Sequence, residues 1–231
     1  MKTLLKVENV KKKFGELVAL ENINFEVVDK ECLGIIGPNG AGKTTLFNVI
    51  SGYMRPTEGR VEFMGKDITG KRPSELAKLG LVRTFQLIKA FMNMSVEENF
   101  RVITDDYKEI MKDFDLWSKR DMLARNLPQG DLRKLNIGLA LATNPKLLLL
   151  DEPFSGLSPR ECAELHSAID RLKEREVTMI VIEHKLKELF NHAERVIVLN
   201  YGVLLCQGTP EEIVRDIRVI EAYLGDGYAV A

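Results

Sequence analysis

Cysteine is scarce in this chain. Its three copies, Cys32, Cys162 and Cys206, are far apart and odd in number. That excludes a disulfide scaffold and a cysteine metal motif, and it suits a reducing compartment. A dominant charge is missing as well: 33 Lys and Arg stand against 34 Asp and Glu, a formal net charge of −1. No broad field therefore favours nucleic acid or an anionic membrane. No apolar run reaches the roughly 18 residues of a membrane-crossing helix. The opening "MKTLLKVENVKKKF" is broken by lysines where a secretory signal would be continuously apolar. Internal repeats and low-complexity tracts are absent. The expectation is a cytoplasmic protein whose work at a membrane, if any, requires a spanning partner.

What is present is 231 residues, 45% apolar and 29% charged, enough for a substantial core. Residues 4–7 and roughly 17–27 read as strands, with Ile23, Phe25 and Val27 alternating as in a half-buried antiparallel strand. "ECLGIIG" (31–37) is a short apolar run meeting glycine, and a helical stretch follows from Lys43 to about Ile50. "RPTEGR" is a turn, "VEFMG" a strand, and Leu81 to Thr84 a weak strand. Ser95 with Glu98 forms a capping box, and the pattern stays helical to about Thr143. "KLLLLD" (146–151) and "VTMIVI" (177–182) are continuously apolar, as expected of parallel strands covered on both faces. "SPRE" (158–161) and "TPEE" (209–212) are capping boxes with proline at the first helical position. The layout predicts an α/β sheet domain with antiparallel strands near its N-terminal end and a helical insert over roughly 87–144.

"GPNGAGKT" (37–44) carries the first chemistry. Gly37, Gly40 and Gly42 let the backbone of Pro38, Asn39 and Ala41 curl so that successive N–H groups surround an anion. The helix after the strand adds the positive end of its dipole. Lys43 can reach β- and γ-phosphates, the Thr44 hydroxyl can ligate Mg²⁺, and Thr45 continues the helix start beside them. This is a nucleotide site of P-loop type. Such a site needs a second carboxylate for the metal, and Asp151 stands at the end of a buried strand, where α/β sheets present ligands. Glu152, next in line, is placed to polarise a water for attack on the γ-phosphate. Locally, Gln86 in "VRTFQ" is either a surface glutamine or a metal-sensing amide. His184, after "VTMIVIE", is either a capped loop residue or a donor to γ-phosphate.

Taken in order, these features resemble the ATPase subunit of ATP-binding-cassette (ABC) transporters, and the resemblance covers essentially the whole chain. Phe14 matches the aromatic loop, residues 37–44 the P-loop, Gln86 the glutamine loop and "LPQGD" the signature. Asp151-Glu152 match the acidic pair, "SGLS" (155–158) the D-loop and His184 the switch histidine. The resemblance implies a P-loop NTPase (RecA-like) α/β core, 1–86 and 145–231, with an N-terminal antiparallel β subdomain. A helical subdomain is implied over 87–144. It also implies ATP and Mg²⁺ as ligands, with Phe14 on adenine, Asp151, Thr44 and Gln86 at the metal, and Glu152, Gln86 and His184 in catalysis. Two subunits would sandwich the nucleotides, each completing its partner's site through the signature.

That signature, usually Leu-Ser-Gly-Gly-Gln, reads Leu127-Pro128-Gln129-Gly130-Asp131 here. Proline replaces the hydroxyl donor, leaving the backbone of Gln129 and Gly130 and a helix N-terminus to face a partner's phosphate. Asp131 is unfavourable there unless it points away or pairs with Arg133 or Lys134. Within the family, "VRTFQ", "DEPFSGLSP", "VIEH" and "VIEAYLG" resemble the ATPases of branched-chain amino-acid importers, with Lys185 departing from a common aspartate. The implied partners are a second cassette, self or paralogue, and membrane permease subunits received by an apolar groove, for which Phe91, Met92 and Met94 are candidates, each reading alternatively as buried core. Trp117 reads as core packing. The implied location is peripheral, on the cytoplasmic face of the cell membrane. A soluble non-transport ATPase and an export-type ATPase are the alternatives.

Overall fold

The computed structural model describes residues 2–85 and 90–224. Two sheets organise it. The first is antiparallel, built from β1 (Thr3–Phe14), β2 (Leu17–Val28), β4 (Glu58–Phe63) and β5 (Lys66–Asp67) in the order β2-β1-β4-β5. The second contains β3 (Cys32–Ile36), β6 (Leu81–Arg83), β7 (Leu147–Asp151), β8 (Thr178–Ile182), β9 (Arg195–Asn200) and β10 (Val203–Gly208). Its order is β10-β9-β3-β8-β7-β6, with every pair parallel except β10 against β9.

The apolar runs of β3, β7 and β8 are buried on both faces. Leu33, Ile35, Leu147, Leu149, Ile180 and Ile182 point toward the antiparallel sheet and helix α1 (Lys43–Ile50). Cys32, Ile36, Leu148, Leu150, Met179 and Val181 alternate with them into a second core, shared with the helices of the other face. This is the alternation of two covered faces expected for parallel strands.

β1 runs seven residues beyond the expected end at Val7. Asn9 adopts a left-handed conformation (φ 50°), and the pairing register shifts between Val7 and Val10. Such a bulge breaks the period-two pattern that a strand is read from. Between Ser95 and Thr143 the chain is less continuously helical than its pattern predicts. It forms α3 (Val96–Arg101), α4 (Lys108–Asp113), two single 3₁₀ turns and α5 (Gln129–Ala142). Buried Asn99, within α3, ties that helix to the segment before it: its amide oxygen accepts from Phe91 N at 2.7 Å and its amide nitrogen donates to Ser95 O at 2.8 Å. The remaining helices are α2 (Pro73–Leu79), α6 (Pro159–Glu174), α7 (Leu186–Phe190), α8 (Pro210–Arg215) and α9 (Ile217–Leu224).

Because β3, β8 and β7 are neighbours, the loops leaving their carboxyl ends lie side by side. Those loops begin at Gly37, Glu183 and Glu152. Among the described residues no helix is long and apolar enough to cross a membrane.

Candidate functional site

The loop after β3 is a glycine-built cradle. Gly37 (φ 151°) sits so close to β9 that a Cβ there would lie 2.2 Å from Leu199 O, and at Gly42 (φ 101°) a Cβ would lie 2.8 Å from Ala19 O. Only glycine fits either position. At Gly40 the same space is open, which leaves the rim of the loop accessible. Lys43 opens α1 with its ammonium buried against the loop, donating to Gly37 O at 2.6 Å and Pro38 O at 3.0 Å. Burial pushes its pKa down, and the charge of Glu152 opposes that. The Gly37 N–H in turn donates to the Tyr223 hydroxyl of α9 at 2.8 Å, so the last helix is fastened to the cradle.

A cleft of about 590 Å³ opens over this loop. Phe14, Asn39, Gly40, Ala41, Gly42, Lys43, Thr44 and Thr45 line it together with Glu152 and His184. Thr44 is exposed there, and Phe14, 46% exposed, forms its aromatic edge. Tyr201, 88% exposed, is a second aromatic on the rim that the sequence did not single out. Glu152 holds a left-handed backbone (φ 47°), and its carboxylate meets His184 Nε2 at 2.8 Å. Asp151 is turned elsewhere. Its Oδ2 accepts from Arg83 Nη2 at 2.7 Å, while Arg83 Nη1 donates to Asn48 Oδ1 at 2.8 Å and Ser51 Oγ at 3.0 Å. The Arg83 guanidinium also lies over the rings of Phe47 and Phe85. Gln86 falls outside the described residues.

The donor set fits a magnesium nucleotide. A buried ammonium, hydrogen-bonded to two carbonyl oxygens, lies under a loop with an open rim. An exposed threonine hydroxyl and the Glu152 carboxylate share its cleft, and Asp151, one residue before Glu152 at the strand end, is held by Arg83.

Reading from sequence missed Glu183. It is 1% exposed and accepts three backbone N–H groups: Phe154 N on Oε1 at 2.7 Å, and His184 N and Lys185 N on Oε2 at 3.0 and 3.2 Å. Burial pushes its pKa up against the pull of those donors. A carboxylate closing the continuous apolar run "VTMIVIE" was the available signal. Lys185 points back, its Nζ donating to Leu157 O at 3.2 Å within the "SGLS" segment.

Pro128 is the N-cap of α5 and provides no side-chain cap. Buried Asp131 resolves its own difficulty by pairing with Lys134 at 2.9 Å and with Lys119. The Gly130 N–H is occupied within the chain by Glu161 Oε1 at 2.9 Å, and the Gln129 amide lies over Gly156. Phe91 and Met92 are exposed, Met94 is half-buried, and half-buried Trp117 packs against the core.

Comparison with known proteins places this geometry. The ABC transporter family matches residues 20–155, and a branched-chain amino acid ATP-binding cassette transporter family matches residues 203–229. The high-affinity branched-chain amino acid transport ATP-binding protein LivG of Escherichia coli (strain K12) is 36% identical over 250 residues, covering 96% of this chain and 98% of its own. BraF of Pseudomonas aeruginosa, of the same description, is 34% identical over 250 residues with the same coverage. A crystal structure of an ATP-binding cassette of an ABC transporter, in its ADP conformation, superposes with a TM-score of 0.90 at 32% identity. The match covers 98% of this chain and 100% of that one. The dimeric structure of a bacterial ABC transporter cassette, 25% identical, gives 0.78 over 90% of this chain and 99% of its own. The chain belongs to the ABC transporter ATP-binding cassette family, with the ATPase activity of transporter subunits.

Proposed function

We propose that this chain is the Mg-ATP-hydrolysing subunit of a membrane importer for branched-chain amino acids or a similar small polar solute. The observation that carries the hydrolytic part is the Glu152–His184 contact at 2.8 Å, in the same cleft as Lys43 and the glycine loop. The N–H groups of residues 39–45 and the Lys43 ammonium hold the phosphates, and Phe14 stacks on the adenine. Thr44, Asp151 and Gln86 would hold Mg²⁺, which supplies neutralisation of the phosphate charge. Glu152 takes the proton of a water aimed at the γ-phosphate, and His184 fixes the Glu152 carboxylate and donates toward the developing charge. A second copy or a paralogue completes the site through Gln129 and Gly130. The Gly130 N–H becomes available to that phosphate when Glu161 releases it.

The solute rests on LivG and BraF, described as branched-chain amino acid transport proteins, and on the terminal segment that matches the corresponding family. The chain would sit peripherally on the cytoplasmic face of the membrane, with Phe91, Met92 and Met94 offered to a permease subunit.

The test is the Glu152→Gln variant, examined by light scattering with ATP beside steady-state hydrolysis by wild type. Loss of turnover with an ATP-dependent dimer supports Glu152 as base and the 127–131 loop as the completing element. Undiminished turnover in the variant overturns the assignment.

A further inference from the structure

Glu152 and His184 belong to different loops, and their 2.8 Å contact depends on how those loops are held together. The Glu152 backbone is left-handed at φ 47°, an arrangement that costs a non-glycine residue free energy and persists only where the surroundings over-determine it. The surroundings do so from one side. Glu152 N donates to Ile182 O at 3.0 Å, on the last residue of β8. Two positions beyond Glu152, the Phe154 N–H runs into the Glu183 carboxylate at 2.7 Å. The other oxygen of that carboxylate takes the N–H groups of His184 and Lys185. Lys185 then reaches back to Leu157 O at 3.2 Å.

A fully buried carboxylate is a costly way to join two loops, since well-packed apolar residues commonly stabilise at least as well. What it provides is a fixed relative position. Its two oxygens are divided between the loop that carries the base and the loop that carries the histidine. Its charge is faced by Arg133 of α5 and by Glu152 itself.

We propose that Glu183 is a positioning residue for ATP hydrolysis: its carboxylate clamps the Glu152 loop to the His184 loop through three backbone N–H donors, holding base and histidine in register. The assignment rests on the hydrolytic reading above. Glu183 touches neither the phosphate cradle nor the adenine edge, so its loss acts on turnover and leaves nucleotide binding alone.

Glu183→Gln is the informative change. The amide oxygen still serves one loop, while the NH₂ group confronts the N–H donors of the other. In the nucleotide-free protein, the amides freed by this variant among Phe154, His184 and Lys185 exchange about tenfold faster than in wild type. In the steady state kcat falls about ten- to a hundredfold, while KM for ATP and the affinity for a fluorescent ATP analogue stay within about twofold of wild type. Glu183→Asp keeps the charge with a shorter reach. It shows the same split at smaller size, and it serves as the measured variant if Glu183→Gln does not fold. Unchanged amide exchange overturns the clamp. Wild-type kcat, or a kcat loss matched by loss of nucleotide affinity, overturns the positioning role. Faster exchange in a protein whose wild type binds ATP but never hydrolyses it leaves the clamp standing and overturns the hydrolytic reading and the role with it.

Discussion

Lys43 shows how much of the site a single residue can carry. Its ammonium is buried, and it donates to the carbonyl oxygens of Gly37 and Pro38. Those neutral acceptors compensate burial only in part, which is why its pKa is driven down. On the proposed function an entering phosphate would supply the missing opposite charge. Lys43→Met should therefore weaken nucleotide binding by about 1.5–3 kcal/mol, the worth of a charged hydrogen bond. The fold should be unharmed, because an apolar stem replaces a cation that burial disfavours. Titration with a fluorescent ATP analogue beside a thermal melt checks both halves, and unchanged affinity would remove Lys43 from the phosphate site. Residues of this kind were legible because their chemistry is local: glycines, a lysine and a helix start within one short loop. Glu183 and Arg83 were not. Glu183 acquires meaning from Phe154, 29 positions away, and Arg83 from Asp151, 68 positions away. Neither spacing is a pattern a sequence displays.

At the scale of elements, helix starts were the most legible features. The boxes at Ser95–Glu98, Ser158–Glu161 and Thr209–Glu212 all form, each with reciprocal bonds. They rest on side chains three residues apart, so tertiary context scarcely alters them. The parallel strands β3, β7 and β8 were legible for a related reason, because continuous apolar runs have few other homes, whereas β9 was not read. The extent of β1 was hidden by its bulge at Asn9, and the end of α4 by the left-handed turn at Asp115 (φ 56°). One element-level feature exceeds its local motif. The Glu161 carboxylate caps α6 through Ser158 N at 3.0 Å and also takes the Gly130 N–H of α5 at 2.9 Å. A single anion thus serves two helix N-termini. Glu98 and Glu212 serve one each, at Ser95 N and Thr209 N. Glu161→Ala should lower the melting temperature by roughly twice as much as Glu98→Ala or Glu212→Ala. Equal losses in the three variants would show that the link to α5 carries no stability.

At the scale of the whole molecule, the stability of the fold should depend on pH through a group that does not line the nucleotide cleft. Two of the three histidines, His166 of α6 and His192 just beyond α7, pack against Phe154 and share a hydrogen bond of 2.6 Å. His166 also meets Glu188 at 2.5 Å, His192 faces Asp170 at 3.1 Å, and Lys173 donates to His192 O at 3.0 Å. The cluster joins α6, α7 and the loop after β7, three pieces far apart in the chain. Burial pushes the His192 pKa from 6.5 down to about 4, against the pull of Asp170. In the folded protein this imidazole is therefore neutral throughout the range in which the unfolded chain takes up a proton. Its contribution is intact above about pH 6.5 and is lost as pH falls from there toward 4. Each pH unit within that window removes about 1.36 kcal/mol, so the loss between pH 7 and pH 5 is on the order of 2 kcal/mol. This window lies above the range in which carboxylates such as Asp216, held down to about 2 by Arg218, begin to protonate. Urea unfolding at pH 7 and pH 5 measures the fall directly. His192→Phe keeps a ring against Phe154 but gives up the bond to His166 and the contact with Asp170, so it should be less stable at pH 7 and should show most of the dependence removed. A variant that loses as much stability between pH 7 and pH 5 as wild type does would place the acid sensitivity in another group.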